Sequence, residues 1–480
     1  MTKKCIGFLF GILLLGIPFE YHRFHIFRPL ARSFLHKFEA LAPFALTIPK
    51  YFEKHIHFYV SDVLIILTLC LIGYSMRPRL KELTFNTSSR FLTLLWGAAL
   101  CSLIFSAFSR YYFQYFNLLN LAIIFFGFHA ARLFFQDRET VIKRLLWGFA
   151  IVSAFECFVG IWQFFTQGPL GVFLLGELPL HIDGPHLTVI PLTAETRKLV
   201  EIFRLIPEGR DVLLRAYGTF MHPNVFGEYM AISLMVSYFL FTEAKRRLLR
   251  TSILVLVIIQ IFCLCLSFSR AGMLSWGLGT LIWFGILLSK KARMEKQEKK
   301  KLWPLAAITL AALLLSGIIL FPHFHARGGF FNHVAFVQNA DTTRMTYVSI
   351  ALNMIKSNPL LGIGYNCFII APSEFFLADP EMMRTWAHNV YLLLGSETGL
   401  LGLGCFLFFI YSILHPCLKH SFTPLSAALL AIFVGFLFVG LFDFYFLVVQ
   451  AGKLMFFLFS GIFAAQLATK AKVFPLSSQA

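Results

Sequence analysis

The chain has 480 residues, 58% of them hydrophobic and only 14% charged, with a formal net charge of +18. Its mean hydropathy of +0.74 excludes an ordinary soluble domain, and the apolar stretches repeatedly reach the ~20 residues with which a helix crosses a bilayer. The Lys and Arg excess does not point to nucleic acid, because it is scattered over short loops and forms no single basic stripe; a membrane accounts for it.

In chain order, Lys3 and Lys4 precede an apolar run to Pro18 that has signal-peptide proportions without a small-residue cleavage motif, and it reads as a retained short first helix. Hydropathy then predicts spans near 57–76, 91–108, 111–133, 145–166, 224–242, 251–269, 271–289, 303–321, 388–414, 424–442 and 448–468. With the first near 5–19 these make about twelve crossings, and because irregular backbone cannot face hydrocarbon the fold class is all-α, a polytopic membrane helix bundle. Among the nine cysteines there is no CxxC pair. Cys5, Cys70, Cys101, Cys157, Cys263, Cys265 and Cys405 fall inside spans as small core residues, while Cys367 lies in an outer loop without an obvious disulfide partner.

Loop charge orients the chain. Arg77, Arg79 and Lys81, then Arg138, Lys143 and Arg144, then Lys245, Arg246, Arg247 and Arg250, and the run from Lys290 to Lys301 fall on one side, which is the cytoplasmic one by the positive-inside rule. Both termini then lie inside, and three long segments, 20–56, 167–223 and 322–387, lie outside. Segment 20–56, with Arg23, Arg28, Arg32 and Lys37 amid aromatics, suits anionic headgroups. Leu199, Ile202, Phe203 and Ile206 follow the spacing of a short amphipathic helix. In the third segment Asp341 is expected to cap a helix running to about Lys356, with Asn358-Pro359 stopping it and Gly362 and Gly364 supplying a turn.

Three pieces carry candidate chemistry. Arg215-Ala-Tyr-Gly-Thr-Phe-Met-His222-Pro-Asn224 sets a fixed cation, a glycine turn and a proline helix start in one stretch; the plainer reading is a snorkelling Arg215 with His222 and Asn224 capping the helix. Ser267-Phe-Ser-Arg270 interrupts nearly forty apolar residues at the outer end of two spans, where a guanidinium should meet an anion; the alternative is an interfacial turn arginine. Trp386-Ala-His388-Asn389-Val-Tyr391 opens the tenth span with an imidazole able to take a proton near neutrality, although an interfacial histidine is more often a packing residue. Glu397, nine residues deeper, is read first as a packing carboxylate that is paired or hydrogen-bonded, and Asp443 is a further carboxylate at an outer end. All three pieces map to the same side, and two arginines with a possible base suit a phosphorylated substrate.

The order and spacing of these motifs, together with Arg344 and Asn358-Pro-Leu-Leu-Gly-Ile-Gly-Tyr365-Asn and with Glu397-Thr-Gly-Leu-Leu-Gly402, resemble the O-antigen ligase and polymerase superfamily over roughly residues 215–445. The resemblance divides the chain into N-terminal helices 1–214, a core 215–445 and a last helix with tail 446–480. It implies a bundle similar to GT-C glycosyltransferases in the bacterial inner membrane. That enzyme would move a glycan from undecaprenyl diphosphate to an acceptor at the periplasmic face without metal or other cofactor, by a single inverting displacement. Carried onto these residues, it implies that Arg215 and Arg270, with Arg344 as a third candidate, hold the diphosphate, and that His388 deprotonates or orients the acceptor hydroxyl. His222, Asn224, Asn389, Tyr391, Glu397 and Asp443 would support them. Ligation to lipid A-core is preferred to chain polymerisation or protein O-glycosylation. A transporter or flippase is the alternative of another class, and it would place its ionisable residues near the bilayer midplane on broken helices.

Overall fold

The computed structural model describes residues 2–19, 59–75, 87–107, 113–180, 188–192, 197, 212–326, 335–370, 375, 385–419 and 421–473. Segment 20–56, the Leu199 to Ile206 stretch and the basic residues Arg77, Arg79 and Lys81 lie outside the described residues. In chain order the helices are α1 (Thr2–Leu15), α2 (Val60–Ser75), α3 (Thr87–Ile104), α4 (Phe113–Phe135) and α5 (Glu139–Thr166). After a two-stranded antiparallel ladder, β1 (Val189–Pro191) with β2 (Val212–Leu214), come α6 (Pro223–Glu243), α7 (Arg247–Leu266), α8 (Arg270–Leu288), α9 (Lys296–Lys300) and α10 (Leu302–Ile319). Then follow α11 (Phe321–Ala326), α12 (Ala335–Ser357), α13 (Val390–Leu414), α14 (Pro424–Val439), α15 (Tyr445–Val448) and α16 (Gln450–Val473).

Each of the twelve predicted spans coincides with a helix, and the fold is all-α apart from the short ladder. Among the described residues nine helices are long and apolar enough to cross a membrane, which makes this a multi-pass membrane protein. The other three are shorter. At 16 residues, α2 and α14 reach only about 24 Å at the helical rise, less than the ~30 Å of a hydrocarbon core. One expectation is corrected: the helix before Asn358 does not begin at Asp341 but at Ala335. A carboxylate at a plausible cap position does not stop a helix whose preceding residues also favour it.

The chain falls into two compact units, one of Met1–Ile6, His22–Ala130 and Arg344–His415, the other of Gly7–Tyr21, Ala131–Thr343 and Pro416–Ala480. In the first unit α3 packs along α13. The Asn120 amide of α4 donates to both oxygens of Asp62 on α2, at 3.0 and 3.2 Å, and Ser89 bonds His129 at 2.9 Å. Polar groups inside apolar helices are thus matched to one another, as burial requires.

In the second unit α6 is buried on nearly every side, as a helix apolar all round should be. It is packed by α5, α7, α8 and α14. The basic loops collect at one end of this unit. Lys143 bridges Glu139 at 3.0 Å and Glu243 at 2.7 Å, and the Phe422 N–H donates to the Lys291 carbonyl while the Arg293 N–H donates to that of Phe422, each at 2.9 Å. The opposite end holds the last turn of α5, the Arg215 stretch, the turn between α7 and α8, and the end of α14. Within this unit the structure therefore separates the sides that loop charge separates.

Candidate functional site

The Arg215 stretch leaves β2 and reaches α6 through Gly218, whose φ of +60° a side chain would strain. A Cβ there would stand 2.4 Å from an oxygen of Glu156 and 2.8 Å from the Phe226 ring, so only glycine fits. Pro223 is the first residue of α6, and the His222 ring caps the helix by accepting the Asn224 N–H at 3.1 Å. Arg215 itself is 1% exposed. Its Nε donates to the Ser267 carbonyl at 2.7 Å and its Nη2 to Asn224 Oδ1 at 2.8 Å. Asn224 Nδ2 donates onward to Asp443 Oδ2 at 2.9 Å, and Asp443 Oδ1 accepts the Phe444 N–H at 2.8 Å. One relay thus ties the end of α7, the exit of β2, the start of α6 and the residues after α14.

Arg270 is built differently. Ser267 to Ser269 make a tight turn in which Phe268 takes a left-handed φ of +47° and Ser269 caps α8 by accepting the Gly272 N–H at 3.2 Å. The turn is pressed onto α6: a Cβ on Gly227 would lie 2.7 Å from that of Ser269, and one on Gly272 3.0 Å from the Gly227 carbonyl carbon. Arg270, the first residue of α8, is half-buried, and among the described residues its guanidinium makes no hydrogen bond or ion pair. It stands where the unpaired first-turn N–H groups of α8 add positive potential. The two arginines that look alike in sequence therefore differ in their bonding: Arg215 is held by Ser267 and Asn224, while Arg270 has no hydrogen bond or ion pair among the described residues.

In the first unit, Asn389 caps α13 by accepting the Leu392 N–H at 2.9 Å, which sets half-buried His388 just before the helix. The Tyr391 ring lies 6.2 Å from Phe406 and serves packing. Deeper, α13 breaks at Gly399, with φ +67° and ψ −173°, a conformation open essentially to glycine alone. The segment 359–364 fills the break. Ile363 and Gly364 donate to the carbonyls of Ser396 and Glu397 at 2.9 and 3.0 Å, while Leu400 and Leu401 donate to those of Pro359 and Leu360 at 2.8 and 3.3 Å. The Glu397 carboxylate, 3% exposed, accepts the N–H groups of Asn366 at 2.9 Å and Phe368 at 3.2 Å. Glu397 is thus hydrogen-bonded by backbone N–H groups of residues 366 and 368. Gly362 and Gly364 take the expected turn with φ of +70° and +119°. Arg344 projects half-buried from α12 and, among the described residues, forms no hydrogen bond or ion pair.

Glu156 and Gln163 of α5 and Gln167 at its C-terminal cap, which grip the backbone around Arg215, escaped the sequence reading. Their signal was available: polar residues at helical spacing inside an apolar span.

Residues 255–407 match a family model described as O-antigen ligase. The matched segment includes Arg270, Arg344, His388 and Glu397 and leaves out Arg215, Asn224 and Asp443. No curated protein matches the chain.

Proposed function

With an O-antigen ligase superfamily segment at residues 255–407 as the premise, we propose that this multi-pass membrane protein transfers a glycan from undecaprenyl diphosphate to lipid A-core at the periplasmic face of the bacterial inner membrane. The observation that carries the reading is Arg270, a guanidinium inside the family segment, at a helix N-terminus, with no partner among the described residues. The acceptor oxygen attacks the anomeric carbon while the bond from that carbon to the diphosphate oxygen breaks, and the electron pair leaves with the lipid diphosphate. Charge on that oxygen grows as the bond lengthens, so a guanidinium fixed beside it stabilises the transition state more than the ground state. His388 takes the hydroxyl proton as the new bond forms. A diphosphate is already a stable leaving group, so the reaction asks for no metal, and one displacement inverts the anomeric centre.

The buried bonding of Arg215 assigns it a holding role in this scheme, with Arg270 as the first ligand of the diphosphate and Arg344 as a further candidate. The filled break in α13 also supports a transferase over a transporter, because the Ser396 and Glu397 carbonyls and the Leu400 and Leu401 amides are bonded to segment 359–364. In transporters such freed groups coordinate the moving ion.

The test is a reconstituted assay with an undecaprenyl diphosphate-linked glycan, chelator, and lipid A-core as acceptor. Glycosylated lipid A-core is the expected product. Lengthened lipid-linked chains would reassign the protein to polymerisation, and no product with any acceptor would overturn the enzyme reading.

A further inference from the structure

Ser153, Glu156, Gly160 and Gln163 lie along one face of α5 at helical spacing, with Gln167 as the left-handed cap just past its end, and all but Gly160 are polar although the helix crosses the membrane. Buried polar groups in such a helix are costly unless satisfied; Ser153 bonds the Ala150 carbonyl and Gln260, each at 2.8 Å, while Glu156, Gln163 and Gln167 converge on one target. Glu156 accepts the Thr219 N–H at 2.9 Å and the Thr219 hydroxyl at 2.8 Å. Gln163 Oε1 accepts the N–H groups of Tyr217 and Gly218 at 3.0 and 2.9 Å, while its Nε2 donates to the Gly218 carbonyl at 2.8 Å and to Glu177 at 2.9 Å. Gln167 accepts the Leu214 N–H at 2.7 Å. On the other side the Ala216 N–H reaches the Leu266 carbonyl at 3.0 Å. At Gly160, where a Cβ would meet the Phe226 ring at 2.8 Å, the missing side chain lets that ring of α6 close on the face.

Glu156, Gln163 and Gln167 each bond the backbone of residues 214–219, and the side chain carried by that backbone, Arg215, holds the Ser267 carbonyl three residues before Arg270. We propose that Glu156, Gln163 and Gln167 are positioning residues that set the 214–219 backbone, and through Arg215 the turn carrying Arg270, for binding a lipid diphosphate. What Arg270 binds rests on the function proposed above. The choice of glutamine at 163 follows from the geometry: one group must accept two N–H bonds and donate two, which an amide does and an ionised carboxylate does not.

The experiment uses the full-length protein in lipid nanodiscs with Gln163→Glu, Gln163→Leu and Arg270→Ala. Undecaprenyl diphosphate is the binding probe, and turnover is read with the lipid-linked glycan. Gln163→Glu should lower the Tm, because the Gly218 carbonyl and Glu177 lose their donor, and in the protein that stays folded it should raise the probe Kd and the donor KM by roughly tenfold while leaving the acceptor KM unchanged, because only an interaction with the donor is weakened. Adding Gln163→Glu to Arg270→Ala should weaken binding no further, since both act on the same contact. A purely structural role would lower the folded, active fraction and hence kcat alone, so an unchanged donor Kd and KM overturns the inference. If both Gln163 variants fail to fold, Gln167→Glu carries the same expectation. Wild-type protein that binds the probe but transfers nothing would count against the proposed function and leave the Kd comparison to decide the positioning role. Wild-type protein that does not bind the probe removes both.

Discussion

Arg215 and Arg270 show how little a charge at a span end says about its work until its partners are known. The carbonyl that Arg215 holds lies 52 residues along the chain, so no local pattern announces the bond, and in sequence both arginines read as anion ligands. Their substitutions should now part company. Arg215→Ala leaves a buried carbonyl and the Asn224 amide oxygen without a donor, at a cost of about 3 kcal/mol, and a clear fall in Tm is expected alongside lost activity. Arg270→Ala should leave the Tm near wild type while cutting transfer by roughly 10²- to 10³-fold, and Arg270→Lys should restore part of it. A third residue gives a pH signature. His323 of α11 is fully buried against the Phe164 ring at 5.5 Å, with neither ring nitrogen hydrogen-bonded among the described residues, and burial pushes its pKa from 6.5 down to about 4. Because the unfolded chain binds this proton first, stability is fully present above about 6.5. It is lost as pH falls toward 4, by about 1.4 kcal/mol for each pH unit in that window. The Tm of wild type should therefore drop between pH 7 and pH 5, and that of His323→Phe should drop less.

At the level of elements the twelve helices were legible because long apolar runs leave the backbone one solution, although only nine of them, among the described residues, are long and apolar enough to cross a membrane. So were the stop at Asn358-Pro359 and the glycine turn after it. The break at Gly399 was not legible, because the residues that satisfy it come from segment 359–364 and hydropathy carries no sign of the pairing. The polar face of α5 was visible as spacing, but which backbone it grips depends on a loop some fifty residues on. Gly399→Ala tests the break directly. The new Cβ would lie 2.1 Å from the Leu360 carbonyl oxygen, in a backbone conformation that strains any side chain, so a loss of at least ~3 kcal/mol is expected. An unchanged Tm would mean that α13 is continuous. Alanine at Gly404, where a Cβ meets nothing within 4 Å, is the matched control.

For the whole molecule, loop charge predicts which side each end faces, and this is measurable without any substrate. In a cysteine-free background, Lys296→Cys in the basic run should react with an impermeant maleimide only after the membrane is opened. Leu174→Cys, at a position 90% exposed in the native protein, and Asn358→Cys should react in intact spheroplasts. Labelling of Asn358→Cys from the cytoplasmic side would put the two units' candidate residues on different faces and end the assignment of one reaction to both. The central claim, that a lipid diphosphate leaves as a glycan is transferred, is tested most directly by counting both products in one reconstituted reaction. The account predicts one undecaprenyl diphosphate released for each glycan joined to acceptor, with both falling together in Arg270→Ala and His388→Ala. Release without acceptor glycosylation, or equal turnover in wild type and Arg270→Ala, would contradict it.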